Sequence, residues 1–369
     1  MNRISLRTAA PAAALALALG LSACGAANES SSDNSGSGTG AGGAKVSGTL
    51  NAGGSSAQEA AVAAWKKAFQ TTNPDATVNY DPVGSGGGRE QFLSGGLAIA
   101  GSDAYLDDKE LAKAKTLCKS DVVEVPTYVS PIAVVYNLKG VDELNLTPKT
   151  IGQIFEGKIT TWDDAAIKAD NPDAKLPSSK ITPVHRSDDS GTTENFTDYL
   201  DQTSAGGWSG GAIQTWPIKG GEAAEGTSGV VAAVKGGEGT IGYADESQAG
   251  DLGQAKVQVG KEFTAPTPEA AAKVLDSSAP VAGRTPTDLA IDVDRKSTEP
   301  GVYPIVLVSY QIACQTNSDK AQAELVKAWL TYVTSTEGQS TAASGAGSAP
   351  LTPEFGTKVQ AAIETIKAA

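Results

Sequence analysis

Arg186-Ser187-Asp188-Asp189-Ser190-Gly191-Thr192-Thr193-Glu194 sets one permanent cation, two hydroxyl-rich turns and a glycine close together. An apolar, strand-like run at residues 181–184 leads in, and a helix-like run at residues 194–200 leads out. Asp188, Asp189 or Ser190 can cap that helix, because a side-chain oxygen accepts from the N–H groups its first turn leaves unpaired. Arg186 then stands beside a helix N-terminus, where those N–H groups and the helix dipole already favour an anion. The stretch reads either as a capped turn with a surface arginine or as half of an oxyanion clamp.

Strand, Ser/Gly turn and helix recur twice more, at Gly54-Ser55-Ser56 and Gly84-Ser85-Gly86. Each turn can aim hydroxyls and backbone N–H groups at a tetrahedral oxyanion. One such turn says little, since small polar residues cap most helices; three with Arg186 point to anion binding. Ligands of α/β sheets also sit beyond the carboxyl ends of strands. Around the turns, residues 45–51 and 77–83 read as strands, and Ala61, Trp65 and Phe69 mark one face of a helix. Ser56-Ala57-Gln58-Glu59 fits a capping box for that helix. Residues 122–125 and 130–137 are β-rich, with Pro126 and Pro131 around Tyr128 suggesting an extended crossing segment. Residues 302–313 form a long β-rich run, and 321–333 an amphipathic helix. Strands alternating with helices predict an α/β architecture.

Asp103 follows Gly101-Ser102 at the end of a strand-like run. It can cap the helix-like run that starts at Leu106, or it can face the anion. The second role makes sense if the anion carries a proton, as phosphate does near neutral pH and sulfate does not. A buried acceptor left unpaired costs about 1–3 kcal/mol, so such a site can reject the unprotonated analogue by ~10⁴-fold.

The chain has 369 residues, room for two lobes with real cores. Its formal net charge is −13, which argues against a nucleic-acid partner. Any anion bound here is held by local geometry and not by a general attractive field. Arg3 and Arg7 form a basic n-region, residues 9–21 a short apolar segment, and Leu21-Ser22-Ala23-Cys24 resembles a bacterial lipobox. Residues 1–23 are read as a lipoprotein signal peptide, with Cys24 lipidated and residues 24–45 a Gly/Ser-rich tether. The lipid is then the membrane anchor and the protein extracytoplasmic. Cys118 and Cys314 remain; an exported chain keeps disulfides, but nothing in their spacing says whether these two bond.

Several enzyme classes fail on inventory. Residues 84–88 lack the G-K-[ST] ending of a phosphate-binding Walker loop. His185 is the single histidine, only five residues from Ser190, and no serine sits in a G-x-S-x-G elbow. Clustered His and Cys of a zinc site are missing, and no cofactor is expected. A phosphohydrolase using Ser190 or Asp188 as nucleophile stays as the lesser alternative, beside a binder of another oxyanion.

Taken together, Gly53-Gly54-Ser55-Ser56, Gly84-Ser85-Gly86-Gly87, Gly101-Ser102-Asp103-Ala104, Gly157-Lys158-Ile159 with Trp162-Asp163-Asp164, Arg186-Ser187-Asp188, Ser190-Gly191-Thr192, Trp216-Pro217 and Ile241-Gly242-Tyr243 carry a family likeness. From about Val46 onward the chain resembles the phosphate-binding lipoprotein of the bacterial high-affinity phosphate ABC transporter, the PstS family. The resemblance implies an α/β fold like that of periplasmic binding proteins: two lobes, a hinge and an interlobe cleft. Lobe one takes residues 46–127 and 303–369, and lobe two takes 128–302. It implies phosphate ligands at Ser56, Ala57 (through its N–H), Ser85, Asp103, Arg186, Ser190, Gly191 and Thr192, with Asp188 orienting Arg186. On this mapping Cys118 and Cys314 both fall in or beside lobe one, which favours a disulfide. The partners implied are inorganic phosphate and the membrane permease, with the protein itself a monomer and not an enzyme. Two positions depart from the family: Ala57 stands where an aromatic is common, and Asp189 where a glycine is usual.

Overall fold

The computed structural model describes residues 45–369; the expected signal peptide, Cys24 and the tether through residue 44 lie outside the described residues. The first lobe opens with β1 (Gly48–Gly54), α1 (Glu59–Thr72), β2 (Ala76–Asp81), α2 (Ser85–Leu93), β3 (Ile99–Ser102) and α3 (Asp108–Cys118). Helix α1 forms where apolar residues recur at helical spacing: Ala61, Val62, Trp65 and Phe69 are its buried positions. Then come β4 (Val122–Asn137), β5 (Thr182–Arg186), α4 (Gly191–Thr203), β6 (Glu222–Ala224), α5 (Gly226–Gly236) and β7 (Thr240–Asp245). The chain returns through β8 (Val306–Cys314) and closes with α6 (Lys320–Val333), α7 (Thr336–Ala346) and α8 (Pro353–Glu364).

Among the described residues nine strands share one sheet, in the order β2-β1-β3-β8-β4-β7-β5-β6, with Gly253–Gln254 pairing β4 off that path. Strand β1 runs parallel to both β2 and β3, and β5 runs parallel to both β6 and β7. The middle of the sheet, β3-β8-β4-β7, is antiparallel. Each parallel end therefore presents strand carboxyl ends followed by turns and helix N-termini.

Strand β4 joins the two ends. The sequence predicts two short strands here with an extended segment between them; the structure has one strand, buried almost throughout. It pairs with β8 up to Pro131 and with β7 from Ile132 onward. The prolines fit because each lies where the ladder is interrupted. Pro131 sits at the change of partner. Pro126 sits beside a bulge, where Ser309 faces Tyr128 but Tyr310 faces Pro126, so Thr127 is the extra residue.

Both ends bury large side chains. In the first lobe Phe69 meets Trp329 edge-on, ring centroids 5.3 Å apart. In the second, Tyr243 stacks on Phe196 at 4.4 Å and Trp216 stacks on His185 at 4.9 Å. Leu275, Ile291 and Val293, within the span assigned to lobe two, pack against Phe92, Leu106 and Tyr310 of the first lobe's core. Cys118, ending α3, and Cys314, ending β8, are disulfide-bonded, their Cα atoms 5.2 Å apart and 196 residues separated in sequence.

A bond closing so long a loop restricts the unfolded chain strongly, an effect worth about 2–5 kcal/mol. Urea unfolding of Cys314→Ser is expected to show a loss of that order relative to the parent. Adding reductant to the parent should produce the same loss, and the variant should not respond to it.

Candidate functional site

The turns at the carboxyl ends of β1, β3 and β5 converge with the N-termini of α2, α4 and α5. Asp103 lies at their centre, 3% exposed. Its Oδ1 accepts from Ser55 Oγ at 2.6 Å and from Ser309 Oγ, and its Oδ2 accepts from Thr192 Oγ1 at 3.2 Å. Its own N–H donates to Ser85 Oγ at 3.1 Å. Asp103 does not cap a helix: α3 is capped by Asp107, which forms a capping box with Glu110. Burial pushes the Asp103 carboxyl above its ordinary range, opposed by the Ser309 and Ser55 hydroxyls, the Arg186 charge and the Thr192 hydroxyl.

Arg186 ends β5 and is 2% exposed. Asp188 grips it at two points, Nε to Oδ1 at 2.7 Å and Nη2 to Oδ2. Asp188 also accepts from Gly226 N at 3.1 Å, tying the pair to the start of α5. Partial burial pushes the Asp188 carboxyl up, but the hydrogen bonds and charge of Arg186 outweigh it and hold the group below its ordinary range. The backbone N–H of Arg186 donates to Tyr243 Oη at 3.2 Å, so the aromatic cluster beneath fixes the strand end. His185 is a strand residue whose Nδ1 lies 3.0 Å from the Arg186 carbonyl oxygen.

Of the three possible caps of α4, Ser190 is the one used, its Oγ accepting from Thr193 N at 3.1 Å. Gly191 follows because the other lobe leaves no room for a side chain. A Cβ there would lie 2.6 Å from Ser85 Oγ and 2.7 Å from Asp103 Cβ. Gly84 is required twice over: its φ is +88°, and a Cβ would meet Asp188 Oδ2 at 2.5 Å.

The capping box expected at Ser56 does not form. Helix α1 starts at Glu59 after Gln58, with no side-chain cap. Ser56 Oγ instead accepts from Thr227 N at 3.0 Å and lies 3.0 Å from Thr227 Oγ1, across the cleft at the start of α5. Ala57 N–H donates to Ser55 Oγ at 3.1 Å. Asp189 is exposed and turns its carboxylate to the Thr215 hydroxyl, while its carbonyl oxygen accepts from Gly86 N at 3.1 Å. The extra acid thus points outward, and its backbone is one of the contacts between the jaws. Asn195 Nδ2 to the Asp103 carbonyl oxygen at 2.7 Å, and Gln248 Nε2 to the Ser56 carbonyl oxygen at 2.9 Å, are others.

The structure therefore brings Ser56, Ser85, Asp103, Arg186, Ser190, Gly191 and Thr192 to one buried interlobe junction, with Asp188 behind Arg186. Sequence reasoning missed Ser309, Thr227, Gln248, Asn195 and the part played by Gln58. A polar residue inside the apolar run at 302–313 is a signal that could have flagged Ser309. Thr227, Gln248 and Asn195 carry no local signal, because their partners lie in the other lobe.

Such a constellation sets a buried acid of one lobe against a buried cation and a helix N-terminus of the other. A family model described as a PBP superfamily domain matches residues 39–337. Phosphate-binding protein PstS 3 of Mycobacterium leprae is 39% identical over 289 residues, covering 76% of this chain and 78% of that protein. Phosphate-binding protein PstS 3 of Mycobacterium tuberculosis is 37% identical over 324 residues, covering 86% of each. A solved structure of PfluDING, described as a high affinity periplasmic phosphate-binding protein bound with phosphate, superposes with a TM-score of 0.69 at 22% identity, covering 85% of this chain and 93% of that one. The chain belongs to the PBP superfamily, and within it to the PstS phosphate-binding proteins.

Ser190→Ala removes the acceptor for the first turn of α4 and is expected to lower the unfolding free energy by about 1 kcal/mol. Asp189→Ala, changing an exposed carboxylate, should stay within about 0.5 kcal/mol of the parent. Urea titrations of the two variants side by side check both.

Proposed function

We propose that this chain captures inorganic phosphate between its lobes, outside the cytoplasm, and delivers it to the permease of an ABC transporter. The observation that carries this reading is the buried acid of one lobe set against the cation and helix N-terminus of the other. Arg186 and the N–H groups at the start of α4 neutralise an anion, while Asp103 accepts the proton that anion carries. Ser56, Ser85, Ser190, Gly191 and Thr192 complete the ligand set, with Asp188 holding the Arg186 plane; the Ala57 N–H, expected among the ligands, is directed at Ser55 Oγ. Residues 46–127 with 303–369 act as one jaw and 128–302 as the other, save that Leu275, Ile291 and Val293 pack on the first, with the jaws turning about β4 and β8.

The names of the relatives support phosphate as the ligand. Sulfate fits less well, because it offers no proton to Asp103 and meets a like charge there. Hydrolysis is disfavoured by the surroundings of Ser190: its Oγ serves the cap of α4, and His185 turns its Nδ1 to backbone. Binding without chemistry is the reading preferred, with the chain monomeric and held at the membrane through a lipid on Cys24. No described helix is long and apolar enough to cross a membrane. Cys24→Ala is expected to release the protein into the soluble fraction, and a mature protein without added acyl mass would overturn the anchor.

Calorimetry at neutral pH is expected to show tight phosphate binding and a preference over sulfate of ~10⁴-fold. Equal affinity for the two anions, or no binding of either, would sink the reading. Arg186→Ala should abolish tight binding, and Asp103→Asn should collapse the preference.

The pH dependence has a definite sign. The Asp103 pKa is raised, so lowering pH from neutral converts it from acceptor to donor before most carboxylates titrate. Sulfate does not titrate in this range, so its binding should strengthen as pH falls from neutral in the parent and stay flat in Asp103→Asn.

A further inference from the structure

Asp103 Oδ1 receives two hydroxyl donors, and the direction of each is dictated from upstream. Ser55 Oγ accepts from Ala57 N–H at 3.1 Å, a group that can only donate. The hydroxyl's single hydrogen is thereby left for Oδ1, 2.6 Å away. Ser309 is controlled by a side chain. Gln58 Nε2 lies 2.7 Å from Ser309 Oγ and 2.9 Å from the Tyr310 carbonyl oxygen. That carbonyl can only accept, so it fixes which end of the Gln58 amide faces this way: the NH₂ group must, and Oε1 turns elsewhere. Gln58 therefore donates to Ser309, and the Ser309 hydrogen goes to Asp103 Oδ1. Gln58, Ser55 and Ser309 are all buried, so water does not compete for these bonds. Ser309 lies within β8, beside the bulge, and reaches Asp103 from there.

We propose that Gln58 and Ser309 form a hydrogen-bond relay that favours the ionised, accepting form of Asp103, and so act as positioning residues for anion selectivity. The proposal rests on the phosphate reading. With two hydrogens already directed at Oδ1, a proton on that oxygen has no acceptor to face. The free valence of the carboxylate is confined to Oδ2, the oxygen that also meets Thr192 of the other lobe. A ligand hydroxyl is accepted there. A fully ionised oxyanion meets a negative acceptor at Oδ2, which becomes a donor only when the pH is low enough to protonate a carboxylate that the two Oδ1 bonds hold ionised.

Calorimetry of phosphate and sulfate across a pH series tests this on the parent, Ser309→Ala, Ser309→Thr and Gln58→Met. Loss of one hydrogen bond to a charged group corresponds to ~10-fold or more in affinity. Ser309→Ala is expected to lower the phosphate-to-sulfate affinity ratio by about that factor at neutral pH. The pH at which sulfate binding sets in should also move upward, because Asp103 loses a donor that favours its ionised form. Ser309→Thr keeps the hydroxyl and should restore both readouts. Gln58→Met does not touch Asp103; it should shift the ratio and the onset pH in the same direction by a smaller factor. If Ser309→Ala does not fold, Gln58→Met decides the matter. An unchanged ratio and onset pH overturn the relay, as does an equal weakening of both anions. A parent that fails to bind phosphate overturns the underlying reading instead, before any variant is compared.

Discussion

A carboxylate sits at the junction of two lobes with almost no access to solvent, and the architecture around it follows from that burial. An ionised group removed from water is tolerated only when its oxygens are hydrogen-bonded. Asp103 draws its donors from separated parts of the chain: Ser55 after β1, Ser309 on β8 and Thr192 at the start of α4. Two come from its own lobe and one from the facing lobe. The acid is therefore satisfied by donors from both sides of the junction at once.

The sheet supplies the geometry. Its two parallel ends each direct strand carboxyl ends and helix N-termini toward the cleft, and the antiparallel β8-β4 pair between them sets the spacing. Because β4 belongs to both halves, a single strand runs from one jaw into the other. Ser56 with Thr227, Gly86 with Asp189, and Asn195 with the Asp103 backbone join the jaws by polar contacts. Polar contacts with donors and acceptors on both sides can exchange for water on opening, which an apolar seam could not do at similar cost.

A net charge of −13 makes Arg186 and the helix N-termini beside it a local exception to the rest of the molecule. Arg186 is a buried cation whose charge Asp188 largely offsets. Its contribution is therefore an oriented guanidinium more than a field, and the helix N-termini add donors without added charge. Asp189 is kept from weakening this arrangement by facing Thr215. Its carbonyl, not its acid, takes part in the junction.

The α/β class, the three Ser/Gly turns, Arg186 and Asp103 were legible in the chain, because each depends on local chemistry. A hydroxyl or glycine before a helix, and an arginine ending a strand, announce themselves within a few residues. What stayed hidden depends on distant partners. The S-x-x-E signal at Ser56 is a sound local rule, but the hydroxyl bonds Thr227 across the cleft and the helix begins without that cap. Two expected strands proved to be one, since proline costs a ladder bond only where a partner needs its N–H, and here a bulge and a change of partner remove that need. Sequence alone thus determined which groups were available to hold a protonated anion. Only the tertiary structure brought Ser309 and Gln58 to Asp103, because strand pairing sets residues over two hundred positions apart within hydrogen-bond reach.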